Sequence, residues 1–138
     1  YGGDLIYMHL TKFTDYSFRV LIHLAKDKDK VFIFDDLSKE LKISEHHLRR
    51  IIWTLAKTDL VISMKGRVGG IKLGLDPRDI NLGEVLKITE SNLNIAECFN
   101  KDNCCPYINP NCKLKGIMQV ALDEFTNEFS KFTLADLL

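Results

Sequence analysis

The chain has 138 residues, of which 46% are hydrophobic and 28% are charged, and this balance predicts one packed domain and excludes wholesale disorder. The 19 basic and 19 acidic side chains cancel, yet residues 1–80 carry 14 basic against 11 acidic groups, and residues 81–138 carry 5 against 8. Because no apolar run approaches the roughly 18 residues of a membrane span and no secretory leader is apparent, we expect a cytoplasmic protein without a membrane partner.

The chain opens with a short segment that precedes an amphipathic helix. Residues 1–7 show no clear pattern and are expected to be an expression leader, with Met8 as the native start. The helix is predicted to begin at Thr14 or Asp15, since either residue can cap a helix N-terminus, and to end in the charged run of residues 26–30. Apolar residues at helical spacing follow the cap and predict one buried face.

Two closely spaced helices are predicted next. Residues 35–41 have the pattern of a short helix and residues 42–43 that of a turn, after which Ser44 is a good N-cap for a second helix. The apolar residues of the second helix have the spacing that buries one face: Leu48, Ile51, Ile52 and Leu55. Its opposite face carries His46, His47, Arg49, Arg50 and Lys57. Trp53, in the same helix, is expected to pack in the core or against another domain.

A β-hairpin and two further helices complete the predicted order. Strands are predicted at residues 61–65 and 71–75, joined by a glycine-rich turn over residues 66–70. Asn81 is a suitable cap for the helix that follows. A long helix is predicted over residues 114–132, and its apolar stripe favours a dimer seam: Leu114, Ile117, Met118, Ala121, Leu122, Phe125 and Phe129.

This order predicts a mainly α-helical fold with a small β-hairpin wing. A winged helix-turn-helix DNA-binding domain would span residues 8–80, and residues 81–138 would hold a cysteine loop (about 90–112) and a long C-terminal dimerisation helix. An α-helix fits the major groove of DNA, its first residues meet base edges, and surrounding basic side chains neutralise phosphates. The predicted DNA contacts are Ser44, His46, His47, Arg49, Arg50 and Lys57 on the helix, with Arg67 and Gly69 in the wing.

The four cysteines lie close together: Cys98, Cys104, Cys105 and Cys112. Such clustering indicates one shared role, and thiolates bind zinc ions and iron–sulfur centres. The gaps are longer than the paired knuckles of structural zinc sites, and the side chains of adjacent Cys104 and Cys105 diverge too far to ligate one ion together. Three usable thiolates and a vacant fourth position favour a metal or cluster site, with a redox thiol switch and disulfides as alternatives.

One known family is matched in five places. These are the segments MHLTKFTDYSFRVLIHLA, KGRVGGIKL and NLGEVLKITE, the run ECF…C…NPNCKLK, and the ending FTLADL. Together they resemble the NsrR-type nitric-oxide-sensing repressors, a branch of the Rrf family of winged-helix regulators that also includes IscR. The resemblance covers about Met8 to Leu138. It implies a homodimeric repressor that binds a partly palindromic double-stranded promoter and releases it when nitric oxide nitrosylates or removes an iron–sulfur cluster.

The resemblance also implies the cluster ligands. Cys98, Cys112 and one of the two middle cysteines would hold the cluster, with 4Fe-4S favoured over 2Fe-2S, and protein prepared in air is expected to lose it. Cys105 is preferred to Cys104 because it leaves the shorter gap to Cys112. In NsrR-type proteins the aspartate of the FTD motif supplies the fourth ligand from the partner subunit, and that position is Asp15 here. A carboxylate oxygen is a weaker iron ligand than a thiolate, which leaves an opening for a small gas.

Three other functions are alternatives to a nitric-oxide-sensing repressor. An Rrf-family regulator without a cluster would respond to thiol oxidation or to a small molecule. A metal-binding enzyme or electron carrier is disfavoured because the sequence has no convincing acid–base or nucleophile constellation, so we predict that the protein is not an enzyme. A protein-interaction module would lack salt-dependent DNA binding.

Overall fold

A computed structural model describes residues 9–65, 69–90 and 112–138. Across these ranges the α-helices are α1 (Lys12–Ala25), α2 (Phe34–Leu41), α3 (Glu45–Lys57), α4 (Leu82–Thr89) and α5 (Lys113–Ser130). The strands are β1 (Val61–Met64) and β2 (Gly70–Leu73), and single 3₁₀ turns cover Pro77–Asp79 and Leu134–Leu137. This order confirms the predicted fold class, a mainly helical winged helix-turn-helix with a long helix near its end. None of the helices described is long and apolar enough to cross a membrane.

The first helix begins two residues earlier than predicted. Thr11 is the N-cap, and its hydroxyl accepts a hydrogen bond from the Thr14 backbone N–H at 3.3 Å. Thr14 is fully buried, and its own hydroxyl donates to Glu90 Oε2 at 2.7 Å. The prediction of Thr14 or Asp15 as the cap is therefore wrong, because a tertiary hydrogen bond decides which of several neighbouring polar residues faces the helix end.

The turn between α2 and α3 agrees with the sequence pattern. Lys42 ends α2 in the left-handed conformation, with φ 56° and ψ 40°. The turn is closed by a pair of hydrogen bonds, from Ser38 Oγ to the Ile43 carbonyl at 2.5 Å and from the Ile43 N–H to the Ser38 carbonyl at 3.1 Å. Ser44 caps α3 by accepting the His47 N–H at 3.2 Å, which confirms the predicted cap. The predicted apolar face of α3 is buried.

The hairpin is antiparallel, with Val61 opposite Leu73 and Met64 opposite Gly70. It joins the helical part through Phe32, which exchanges two backbone hydrogen bonds with Ile71, at 2.7 and 2.8 Å. Each strand is one residue shorter than predicted, and beyond the pair of Val61 and Leu73 the Gly74 N–H donates to the Leu60 carbonyl at 2.9 Å. A Cβ on Gly74 would lie 2.1 Å from the Asp59 carbonyl oxygen, so this close approach requires glycine.

Hydrogen bonds connect the start of α4 to the end of α5 and to the final turn. Asn81 caps α4 as predicted, and its side-chain amide also donates to the Ser130 carbonyl at the end of α5, at 2.8 Å. The Leu134 N–H donates to the Ile80 carbonyl at 2.9 Å. One hydrophobic cluster therefore continues from the winged helix into α4 and the final turn, where it includes Val85 and Leu134. The division of the chain at residue 80 stays a prediction.

Candidate nucleic-acid interface

The side of α3 that points away from the core is the strongest candidate for a nucleic-acid interface. At 3.6 residues per turn, the residues opposite the buried stripe form a line that we call the α3 outer face. The α3 outer face consists of His46, Arg50, Trp53 and Lys57. All four are exposed. A helix that binds in a DNA groove needs an exposed row of cationic and hydrogen-bonding side chains near a well-formed N-terminus. The α3 outer face has this arrangement.

Aromatic rings of neighbouring helices position the arginines of α3. The Arg49 guanidinium carbon lies 5.5 Å from the Phe34 ring centroid, and that of Arg50 lies 5.9 Å from the Phe13 ring centroid. Cation–π contacts of this kind orient a guanidinium without neutralising its charge. Within the residues that the structure describes, no carboxylate forms an ion pair with either arginine. Both charges are thus available to a polyanion.

The predicted DNA contacts do not all share the α3 outer face. His47 is half-buried, and its ring packs edge-on against Tyr16 at 5.2 Å between centroids, so it connects α3 to α1. Ser44 is exposed but is used as the cap of α3. Gly69 is partly exposed beside β2. Arg67, the predicted wing contact, lies outside the described residues.

Asp15, the predicted fourth cluster ligand, lies in the first turn of α1. Both of its carboxylate oxygens accept hydrogen bonds from Arg19, each at 3.1 Å. The two side chains are about half exposed, at 48% and 54%. An exposed pair of this kind contributes roughly 0–1 kcal/mol to stability, so Asp15 would give up little by exchanging Arg19 for another cation.

Of the predicted cysteine ligands, Cys112 is within the described residues. It is a free, half-buried thiol immediately before α5, and its carbonyl accepts the Gly116 N–H at 3.2 Å. Cys98, Cys104 and Cys105 lie outside the described residues. Within the described ranges no three His, Cys, Asp or Glu side chains converge in a way that could hold a metal ion. A thiolate is a donor that iron–sulfur centres use, so Cys112 fits the predicted donor set by its chemistry.

Two residues in this part of the molecule depart from what sequence reasoning expected. Trp53 is 63% exposed on the α3 outer face, so the prediction that it packs in this chain's core is wrong. A helical wheel of α3 would have placed it opposite the buried stripe. Glu90, at the end of α4, is 8% exposed and accepts three hydrogen bonds from the start of α1. No local signal identifies Glu90, because its partners are more than 70 residues away.

The sequence profile of the Rrf2 family, described as an iron-dependent transcriptional regulator, matches residues 10–138. The chain belongs to the Rrf2 family. It is 42% identical over 132 residues to the HTH-type transcriptional regulator NsrR of Halalkalibacterium halodurans, covering 95% of this chain and 90% of that one. It is 41% identical to the protein of the same name from Bacillus subtilis, with the same coverage.

Solved structures of the family share the fold. IscR of T. potens superposes with a TM-score of 0.74, covering 94% of this chain and 85% of that one at 21% identity. CymR, the global cysteine regulator of B. subtilis, superposes with a TM-score of 0.71, covering 95% and 96% at 22% identity. The predicted Rrf resemblance is confirmed. Because this Rrf2-family member and its curated relatives are transcriptional regulators, the prediction that it is not an enzyme is confirmed as well.

Proposed function

We propose that this regulator is a homodimeric repressor that binds promoter DNA through α3 and the wing and responds to nitric oxide through an iron–sulfur cluster. The observation that carries the proposal is the α3 outer face, a capped and exposed basic helix in a winged helix-turn-helix. The similarity to NsrR-named relatives at 41–42% identity supports the finer part, the response to nitric oxide. A cytoplasmic location follows from that function.

The start of α3 would enter the major groove. Ser44 and His46 lie at the end of the helix where such motifs contact base edges, and Arg49, Arg50 and Lys57 would bind phosphates on either side. His47 would brace the helix against α1 while its exposed edge faces the DNA. The wing would add Arg67 and Gly69 at a neighbouring groove.

A second copy of the chain is the proposed partner of α5. This helix has 18 residues, and none of them is buried. Its most exposed large apolar side chains are Leu114, Ile117 and Val120, at 62%, 66% and 60%. A Cβ on Gly116 would meet nothing within 4 Å, so the backbone there is open to close approach by another helix. Two such helices packed together would bury apolar surface that one chain leaves in water and would set two copies of α3 on a partly palindromic site.

Cys98, Cys105 (or Cys104) and Cys112 are the proposed thiolate ligands of the cluster, and Asp15 of the second subunit is the proposed fourth ligand. When bound, the cluster would supply iron that nitric oxide can react with. The chain itself connects the proposed ligand Asp15 to the DNA-binding helix. Asp15 lies on α1, and α1 contacts α3 through the rings of Tyr16 and His47. A change in how α1 is held would therefore reach the helix that reads DNA, and paired half-sites tolerate little change in spacing.

DNA binding is tested with variants of the α3 outer face. The ligand is the duplex of about 30 base pairs that wild-type protein enriches from a randomised pool, long enough for two half-sites a helical turn apart. Arg50→Ala should weaken binding about tenfold and reduce the slope of log affinity against log salt by about one, since one phosphate contact is lost. Lys131→Ala, which removes a lysine paired with Glu128 near the end of α5, is the matched control and should change neither. Equal affinity for wild type and Arg50→Ala would contradict the proposed binding mode.

The cluster is tested on protein purified without oxygen. Visible absorbance with iron and sulfide content should be present in wild type and lost in Cys98→Ala and Cys112→Ala. Comparison of Cys104→Ala with Cys105→Ala identifies the middle ligand, and only the latter should lose the absorbance. Nitric oxide should then lower the affinity of the wild type for the enriched duplex. Colourless, iron-free wild-type protein would instead support a cluster-free regulator that responds to thiol oxidation or to a small molecule.

A further inference from the structure

Trp53 is the single tryptophan of the chain. The sequence predicts that it packs in the core or against another domain, but the structure leaves it exposed. Its side chain is 63% exposed, more than any other aromatic side chain among the exposed large hydrophobic residues described. Leaving most of a large apolar ring in water forgoes most of the free energy that its burial would release. Such an exposed ring is explained most simply by a contact that forms in a complex.

The surroundings of Trp53 are cationic. Lys57, one turn further along α3, places its ammonium nitrogen 3.3 Å from the centroid of the indole ring. Arg50, one turn before it, is on the same α3 outer face and is held by Phe13. Among the residues that the structure describes, neither cation has a carboxylate partner. An aromatic ring between two such cations suits a polyanion with apolar sugar faces better than an apolar protein surface, because an apolar partner would have to desolvate both charges.

The position of Trp53 along α3 indicates which part of DNA it would reach. It is eight residues beyond Glu45, which corresponds to about 12 Å along the helix axis at 1.5 Å per residue. The major groove is about 12 Å wide. A helix that crosses the groove with its first turn on the bases would therefore place Trp53 at the rim, beside the sugar–phosphate backbone.

We propose that Trp53 is a DNA-backbone contact of the reading helix. Its ring packs on a deoxyribose, its indole N–H donates to a phosphate oxygen, and Lys57 binds the same phosphate from above the ring. This inference rests on the proposed DNA-binding function and adds to it a contact that is partly apolar. The packing of the indole ring on a deoxyribose would contribute affinity that salt does not screen, unlike the contact of a lysine with a phosphate.

The first test uses the unmodified protein. Because Trp53 is the single tryptophan, indole fluorescence reports on this one position. Titration with the enriched duplex should change the intensity and wavelength of the emission in step with binding measured by anisotropy of labelled DNA. Full binding by anisotropy with unchanged emission would overturn the proposal.

The second test compares substitutions. Trp53→Ala should weaken binding about tenfold without changing the salt slope, whereas Lys57→Ala should reduce the slope by about one. Trp53→Phe keeps a ring but loses the N–H, and it should weaken binding about threefold. Leu138→Ala, at a side chain that is 58% exposed on a different part of the surface, is the control for removing exposed apolar area and should have no effect.

The outcomes separate this inference from the proposed function. If Arg50→Ala weakens binding and Trp53→Ala does not, α3 reads DNA but Trp53 faces solvent or a protein partner, and the inference is wrong. If neither wild type nor any variant binds DNA with salt dependence, the proposed function itself fails. If Trp53→Ala does not fold, judged by its far-ultraviolet circular dichroism, the fluorescence titration and Trp53→Phe still decide the matter.

Discussion

Glu90 offers the sharpest test of how the end of α4 is held against the start of α1. Its Oε2 atom accepts hydrogen bonds from the Thr14 hydroxyl at 2.7 Å, the Thr11 hydroxyl at 3.2 Å and the Thr11 N–H at 3.2 Å. The carboxylate therefore lies at the N-terminus of α1, where the helix dipole favours negative charge. Glu90 follows the last residue of α4, so this contact joins α4 to the helix that carries Asp15.

The free-energy cost of Glu90→Ala follows from these contacts. Thr14 is completely buried, so loss of its acceptor costs about 1–3 kcal/mol. The two Thr11 bonds are partly buried and add roughly 0.5–1.5 kcal/mol each. Relief of the desolvation of the carboxylate and the remaining 3.3 Å contact between the two threonine hydroxyls offset part of this sum. We expect Glu90→Ala to lower the free energy of unfolding by about 2–4 kcal/mol.

The measurement is urea denaturation followed by circular dichroism at one protein concentration, because the stability of the proposed dimer would depend on concentration. Glu84→Ala is the matched control: Glu84 is on the same helix, 66% exposed and 3.6 Å from Lys87, and its loss should cost no more than about 0.5 kcal/mol. A double-mutant cycle with Thr14→Val should give a coupling energy of about 1–2 kcal/mol. Equal unfolding midpoints for Glu90→Ala and Glu84→Ala would refute this account of the contact.

Three further predictions concern local contacts. Gly83→Ala should lower the free energy of unfolding by about 1–3 kcal/mol in a thermal or urea melt. The reason is that the new Cβ would lie 1.9 Å from Ser130 Oγ and 2.9 Å from Ser130 Cα. If the variant unfolded at the same midpoint as the wild type, α4 and α5 would be free to move apart. Ser44→Ala should cost about 1 kcal/mol by the same measurement, since it removes the cap of α3, and Ser44→Gly should cost less. The hydrogen bonds that Arg78 donates hold the pKa of Asp76 well below its usual 3.8, so the carboxylate stabilises the fold above that pH and progressively less below it. The difference in urea midpoint between wild type and Asp76→Asn should accordingly be largest near pH 7 and shrink as the pH falls below 4, and a difference that grows in acid would contradict this sign.

Much of the fold could be predicted because its signals are local. The Ser44 and Asn81 caps, the buried face of α3 and the order of helices and strands all depend on residues within one or two turns of each other, and all agree with the structure. The family could also be predicted, since the matching segments extend along almost the whole chain. The donor set of the cluster and the contacts to DNA stay predictions that only the experiments above can decide.

Local pattern alone determined the caps of α3 and α4, the hairpin and the basic character of α3, because backbone caps and helical periodicity are satisfied within a few residues. Tertiary structure decided the rest. Thr11 rather than Thr14 caps α1 because Thr14 bonds a carboxylate 76 residues away. Position 74 requires glycine because a Cβ there would lie 2.1 Å from the Asp59 carbonyl oxygen. The exposure of Trp53, by contrast, follows from helical spacing alone, which places it opposite the aliphatic side chains that fill the core-facing positions of α3. At the start of α1 several polar residues were locally equivalent, and a contact between distant parts of the chain chose among them.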